Sequence, residues 1–298
     1  MADIGASILT KLKNKAKVSG ISYQQCLQLF FQEEFLRRLS KSKYVENLVL
    51  KGGLFIYQLT NFESRAAIGV DFLLRQFPTA VDDVNGMIEE IINTPTSNDY
   101  IEMSAGNFEE ISPQRKYKGI STQIIGRIKN VRVPFNIDIG VGDIIVPKAE
   151  MRKINTQLPD FEVSVISTYS LESTIAEKFD AILQRFELTG RMKDFYDIYY
   201  LARTFDFDGM ILQSAMFETL HRRGTPYEKN SFKRIIQMAN DVDMQSKWKY
   251  FLKNIRDESL DFAIVINKIA TFLEPVYEAI VGESEWQKMW DCREQKWM

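Results

Sequence analysis

"NFESRAAIGVDFLLR", residues 61–75, is the stretch on which the reading of the chain turns. Alternation predicts a strand with Ala67, Gly69, Asp71 and Leu73 on one side and Ile68, Val70, Phe72 and Leu74 on the other. One side is then apolar. The other carries a single carboxylate with a glycine two residues before it. Glycine weakens a strand interior and aspartate is depleted in strands, so both residues call for a reason beyond strand formation.

Working outward, "SYQQCLQLFFQEEFLRRLS" (22–40) predicts a helix opened by a capping box of Ser22 and Gln25, with Leu27, Phe31, Phe35 and Leu39 as its apolar stripe. "LVLKGG" predicts a short strand ending in a glycine turn, "LFIYQL" a helix start, and residues 82–95 a further helix. "QRKYKGISTQIIGRIKNVRVPFNIDIGVGD" (114–143) predicts a hairpin turning near Lys129 and Asn130, with Pro134 at an edge position or a bulge. In its second arm Val131, Val133, Phe135, Ile137 and Ile139 share a face, and Asp138 lies on the other.

From about residue 167 the period becomes helical. Leu171, Ile175, Phe179, Ile182 and Phe186 form one stripe, "RMKDFYDIYYLARTF" forms another helix, and the segments from "SKWKYFLKNI" onward continue as helices. There is no internal repeat and no low-complexity linker. The expected organisation is α+β, with a first domain over 1–166 and a helical second domain over 167–298.

The chain has 298 residues, 45% of them hydrophobic and 26% charged, which suits a soluble globular protein of two domains. A formal net charge of -2 argues against a broadly basic coat for nucleic acid, though not against a local basic groove. Two cysteines, Cys26 and Cys292, offer no metal spacing or disulfide framework and fit a reducing cytoplasm. "MADIGASILTKLKNKAK" has no apolar core of a signal peptide, and no run of about 18 apolar residues predicts a membrane span. His221 is the only histidine, so a zinc-binding histidine pair is excluded and a Ser-His-Asp triad is a poor fit.

Asp71 and Asp138 are the first candidates for chemistry. Carboxylates on neighbouring strands, near a glycine turn, suit a Mg²⁺ ion that carries a nucleotide's phosphates. The plain alternative is two solvated aspartates. Lys51, Gly52 and Gly53 could bring backbone N–H groups and a charge to phosphate, or could simply form a turn. Lys178 could bond a phosphate across an open pocket, or could snorkel from beside its apolar stripe. Asp194, with Asp197 at i+3 on the same face, could orient Lys178 or a substrate group, or belong to a surface charge network with Arg191. "HRRGTPYEKN" (221–230) reads as a basic turn in which Arg222 and Arg223 could meet an RNA backbone.

Taken in order, "LVLKGGLFIYQL", "SRAAIGVDFLLR", "YKGISTQIIGRIKNVRVPFNIDIGVGD", "STYSLESTIAEKFDAIL", "GRMKDFYDIYYLAR" and "HRRGTPY" resemble the AbiEii/AbiGii-type nucleotidyltransferase toxins. These toxins belong to bacterial abortive-infection and type IV toxin–antitoxin systems and are related to the mycobacterial MenT toxins. The resemblance covers residues from about 48 to 230. It implies a nucleotidyltransferase sheet domain with flanking helices, packed on a helical domain. It also implies transfer of a nucleoside monophosphate from an NTP, held with Mg²⁺, to an acceptor. The acceptor class it implies is RNA, with the 3′ end of tRNA as one case, and GTP and CTP are the candidate donors. The antitoxin would be encoded separately and need not bind the toxin.

By the same resemblance Lys178 stands at the catalytic lysine and Asp194 at the later acidic motif, with Asp197 as its companion. Arg65 matches the arginine that opens the family's R-x-T-x-D-x-D strand, and Asp71 matches its second aspartate. Ala67 stands where threonine is common and Gly69 where the first aspartate belongs. The resemblance then implies two of three metal carboxylates, and hence an impaired chain. Gly69 is either a natural departure, leaving a weak enzyme or a nucleotide-binding relic, or a replacement that disarms a toxin, which the second departure at Ala67 favours. Two other functions stay open: a non-catalytic nucleotide or RNA binder, and a nucleotidyltransferase acting on a small molecule such as an antibiotic.

Overall fold

The computed structural model describes residues 3–111, 119–255 and 259–298. It divides into two compact units, Met1–Gly142 with Ala149–Tyr169, and Asp143–Lys148 with Ser170–Met298. Residues 114–118 of the expected hairpin lie outside the described residues.

The first unit contains α1 (Ile4–Ser19), α2 (Tyr23–Lys41), β1 (Leu48–Lys51), α3 (Gly52–Leu59), β2 (Val70–Leu74), α4 (Val81–Ile92), β3 (Glu102–Ile111), β4 (Gly119–Ile128), β5 (Val131–Val141), β6 (Glu150–Ile154) and β7 (Ser164–Thr168). Among the described residues its strands form one seven-stranded sheet in the order β3-β4-β5-β2-β1-β7-β6. The β2–β5 and β1–β7 pairs are parallel and the other pairs antiparallel, so the sheet is mixed.

Helix α2 supplies much of the core and packs on β5 and β7. Its capping box forms as expected: the Gln25 N–H donates to Ser22 Oγ at 3.1 Å and the Ser22 N–H donates to Gln25 Oε1 at 3.0 Å. The Phe35 and Phe72 rings pack 6.0 Å apart. At Gly126 a Cβ would overlap the Phe31 ring, so glycine there lets helix and sheet close on each other. The hairpin of β4 and β5 turns at Lys129, which carries a positive φ of 54°. Val133, Phe135, Ile137 and Ile139 are buried and Asp138 lies on the opposite face, as the alternation predicted. Pro134 sits in regular register opposite Ile125, before the β2 pairing begins at Ile137, so its missing N–H costs the sheet no bond to β2.

The strand predicted across 61–75 is shorter than its alternation suggests. It starts at Val70, and Gly69 and Ala67 precede it. The reason lies in α2, whose Gln28 and Gln32 side chains both donate to the Ile68 carbonyl, Gln32 at 3.0 Å. That carbonyl is satisfied without a strand partner. Ile68 is 77% exposed rather than on an apolar face, and Leu73, on the Asp71 side, is buried. The glycines of "LVLKGG" turn the chain from β1 directly into α3, with Gly52 at a φ of 71°.

The second unit contains α5 (Leu171–Leu183), α6 (Met192–Thr204), β8 (Phe207–Asp208), α7 (Gly209–Arg223), α8 (Ser231–Gln237), α9 (Val242–Ile255), α10 (Phe262–Val281), β9 (Met289–Asp291) and β10 (Lys296–Trp297). Among the described residues side chains cap four of its helices: Ser170 on α5, Asp208 on α7, Asp241 on α9 and Asp261 on α10. Phe179, Phe232 and Tyr277 join α5, α8 and α10 at ring separations of 5.7 Å. Residues 143–148, which the change of period near 166 leaves with the first domain, group with this unit because α5 holds them. The Val146 N–H donates to Ser173 Oγ at 2.7 Å, and Ser170 Oγ donates to the Val146 carbonyl at 2.5 Å. Among the described residues no helix is long and apolar enough to cross a membrane.

Helix α2 also buries charge. Glu34 accepts from Arg37 at 2.9 Å, Arg38 at 3.2 Å, Thr96 at 2.7 Å and Asn98 at 2.7 Å, which fixes the loop after α4. Glu33 is buried and accepts the Gln157 N–H at 3.0 Å. Burial pushes its carboxyl from 4.5 up to about 8, against the opposing pull of Arg37, the Gln157 N–H and Lys15. Below about pH 4.5 the folded and unfolded chains both keep this proton. As the pH rises towards 8 the unfolded chain loses it first, so stability falls over that window and levels off above it. Glu33→Gln keeps the neutral form and should exceed the parent in stability by roughly 3–5 kcal/mol near pH 8. The two should differ little near pH 4.5, as denaturant midpoints at both ends of the window would record.

Candidate functional site

Strand register builds the first part of the site. Lys51 on β1 stands opposite Asp71 on β2, Asp71 opposite Asp138 on β5, and Asp138 opposite Ser121 on β4. Register partners share a sheet face on strands about 5 Å apart, so these four side chains form one polar row across four strands. Ser121 Oγ donates to Asp138 Oδ1 at 2.6 Å. All four residues are neither fully buried nor fully exposed.

The β1–α3 turn closes over this row. Gly52 has a φ of 71°, and a Cβ there would come 2.7 Å from Asp71 Cγ. Backbone conformation and the nearness of Asp71 both demand glycine at this position. A Cβ on Gly53 would lie 3.4 Å from both terminal nitrogens of Arg65 and 3.5 Å from the Ala67 Cβ, so the Arg65 guanidinium rests beside this turn. The Lys51 ammonium lies 5.1 Å from the centre of the Tyr169 ring. Lys51, Gly52, Gly53, Arg65, Asp71 and Asp138 therefore gather at one end of the sheet.

Gly69 precedes the row. It shows no left-handed φ, and the nearest atom to a Cβ there is the Asn136 carbonyl oxygen at 3.5 Å, an ordinary contact. The backbone thus leaves room for an aspartate. Among the described residues no group of three or more His, Cys, Asp or Glu side chains could hold a metal ion. What remains is a pair of carboxylates.

A separate cluster lies in the helical unit. Lys178 on α5 donates to Asp197 Oδ2 at 2.6 Å and to Asp194 Oδ1 at 3.3 Å, both on α6. All three residues are buried, so Lys178 does not snorkel to solvent. Arg191 Nε stands 3.1 Å from Asp194 Oδ2, but that oxygen accepts no hydrogen bond. The acidic pair therefore holds the lysine, the first of the alternatives open to Asp194.

The basic "HRRGTPYEKN" segment is not a loop throughout. His221, Arg222 and Arg223 form the last turn of α7, closed by Gly224 at a φ of 66°. Arg223 is committed to carboxylates: Asp143 at 2.9 Å, Glu177 at 3.0 Å and Asp180 at 3.0 Å. Burial alone would lower its basicity, but the three acids outweigh burial and raise it. Asp180 also accepts from Thr225 and Gln184. Sequence reasoning missed Asp143, Asp180 and Ser121. Asp180 carried a signal, an acid one residue past the Phe179 core position on α5, whereas Asp143 and Ser121 acquire their partners only through tertiary structure.

No curated protein matches the chain by sequence. Several solved structures resemble it in fold, two of them as follows. One is MenT4, a nucleotidyltransferase toxin of Mycobacterium tuberculosis H37Rv, with a TM-score of 0.57 at 15% identity over 90% of this chain and 98% of that one. The other is JHP933 from Helicobacter pylori, with a TM-score of 0.50 at 12% identity over 88% of this chain and 95% of that one. A family model described as the nucleotidyl transferase AbiEii toxin of type IV toxin–antitoxin systems matches residues 34–280, and the chain therefore belongs to that family of nucleotidyltransferase toxins.

Proposed function

We propose that the chain is built to transfer a nucleoside monophosphate from an NTP to an RNA acceptor, and that Gly69 impairs it. The observation that carries this reading is the register of Asp71 with Asp138 under the Gly52 turn. Two carboxylates side by side suit Mg²⁺, which uses one or two protein carboxylates together with substrate phosphates. Asp71 and Asp138 would hold the ion, and when bound it supplies neutralisation of the triphosphate's charge.

The chain's own groups do the rest. The Gly52–Gly53 turn lets phosphate oxygens approach the first N–H groups of α3, which no side chain caps. Arg65 and Lys51 add positive charge beside that turn. Ser121 holds Asp138 in one rotamer through its hydrogen bond. In the helical unit Lys178, held by Asp194 and Asp197, stands at the family's lysine, a cation of the kind that offsets phosphate charge in this chemistry. The donor is GTP or CTP and the acceptor a tRNA 3′ end, in the cytoplasm, opposed by a separately encoded antitoxin.

The missing third carboxylate favours one other reading, a nucleotide or RNA binder without catalysis. Gly69→Asp separates the two. Incubated with labelled NTP, Mg²⁺ and cellular RNA, this variant should incorporate at least tenfold more label than the parent and should slow bacterial growth. A Gly69→Asp protein as inert as its parent refutes the impairment. In the Gly69→Asp background, Asp138→Asn and Lys178→Ala should each reduce incorporation by about 100-fold or more, the scale of losing a group that stabilises transition-state charge. Label appearing on an aminoglycoside-type drug instead of RNA would point to small-molecule transfer.

A further inference from the structure

The sheet face that carries Asp71 and Asp138 continues along β4 and β5, away from the carboxylates. On β5 it presents Asn136, Pro134 and Arg132, all exposed, while Val133, Phe135 and Ile137 fill the buried face behind them. On β4 it presents Gln123, Ile125 and Arg127. Gln123 and Asn136 are register partners, and the Gln123 amide donates to Asn136 Oδ1 at 3.5 Å. Arg127 and Arg132 are register partners as well, two arginines directly across from each other on the strands.

Like charges in that position repel and destabilise the pairing. Glu102 on β3 stands opposite Arg127, yet among the described residues neither arginine forms a hydrogen bond or ion pair. Glu102 meets Arg127 from one side, whereas Arg132 has no register partner on β2, so the repulsion within the pair is offset only in part. A phosphate between the two guanidinium groups would offset it, with donors forked on both sides. From Asp138 to Arg132 the strand runs six residues, about 20 Å at roughly 3.3 Å each.

We infer that this face is a track for single-stranded RNA. The 3′ end lies at the carboxylate pair, base edges or ribose hydroxyls meet the amides of Gln123 and Asn136, and a backbone phosphate several nucleotides upstream sits between Arg127 and Arg132. No aromatic side chain lies on this face of β4 or β5, so binding rests on phosphate charge and depends on salt rather than on stacking. The inference rests on the RNA-acceptor reading given above and adds where the acceptor is held.

The test is fluorescence anisotropy of the full chain with a labelled single-stranded oligouridylate, without NTP or Mg²⁺, across a salt series. Arg127→Ala/Arg132→Ala should weaken binding at least tenfold at low salt. It should also flatten the slope of log K against log salt by about 0.7, the share of the one phosphate neutralised on a single strand. Thermal unfolding should show the double variant no less stable than the parent, since a repulsion is removed, and Arg132→Glu should weaken binding further. Affinity and slope unchanged in these variants overturn the inference, as does a parent that does not bind the RNA or that binds polyglutamate equally well. Because the assay contains neither nucleotide nor metal, a chain that fails to transfer nucleotide in every variant counts against the catalytic reading alone.

Discussion

The parallel pairing of β2 with β5 sets Asp71 directly beside Asp138, and much of the first unit follows from keeping that pair accessible. Parallel neighbours need a long connection between them, and here it runs through α4 and the β3–β4–β5 meander. The meander brings Ser121 to the far side of Asp138, while the antiparallel pairing of β1 brings Lys51 to the far side of Asp71. Gly52 completes the arrangement, because any side chain at that position would collide with the Asp71 carboxylate. Two acids on adjacent strands would otherwise repel each other. The lysine, the hydroxyl and the neighbouring turn surround them with positive charge and hydrogen-bond donors.

Helix α2 makes a related compromise. It is buried along most of its length and carries Glu33, Glu34, Arg37 and Arg38 into the interior. Glu34 is fully hydrogen-bonded and ties the helix to the loop after α4, whereas Glu33 is neutralised by keeping its proton. The two adjacent glutamates thus show both ways a buried acid can be accommodated, by pairing and by protonation.

Local patterns were legible from the sequence where the chain satisfies itself locally. The Ser22–Gln25 box, the Lys129 turn, the apolar face of β5 and the helical period after residue 167 all depend on residues a few positions apart. The placement of Asp71 and Asp138 on one sheet was legible too, because each interrupts an otherwise apolar strand. Reading failed where distant groups decide. The onset of β2 is set by two glutamines of α2, some 40 residues away. The buried charges of α2 look like an ordinary solvated face in the sequence. Arg223 resembles a surface arginine until α5 and residue 143 enclose it.

That enclosure bears on how the polypeptide could be divided. The chain leaves the strand-rich unit after Gly142, spends residues 143–148 in the helical unit, returns for 149–169, and only then continues into α5. Neither unit is a single continuous piece of chain. A fragment starting at Ser170 would lose Asp143 from the Arg223 cluster and Val146 from the cap of α5, leaving Ser170, Ser173 and Arg223 each short of a partner. A ribosome emitting this protein has therefore released the short insert long before the helices that must receive it, so the two halves cannot be excised as independent modules at any one cut.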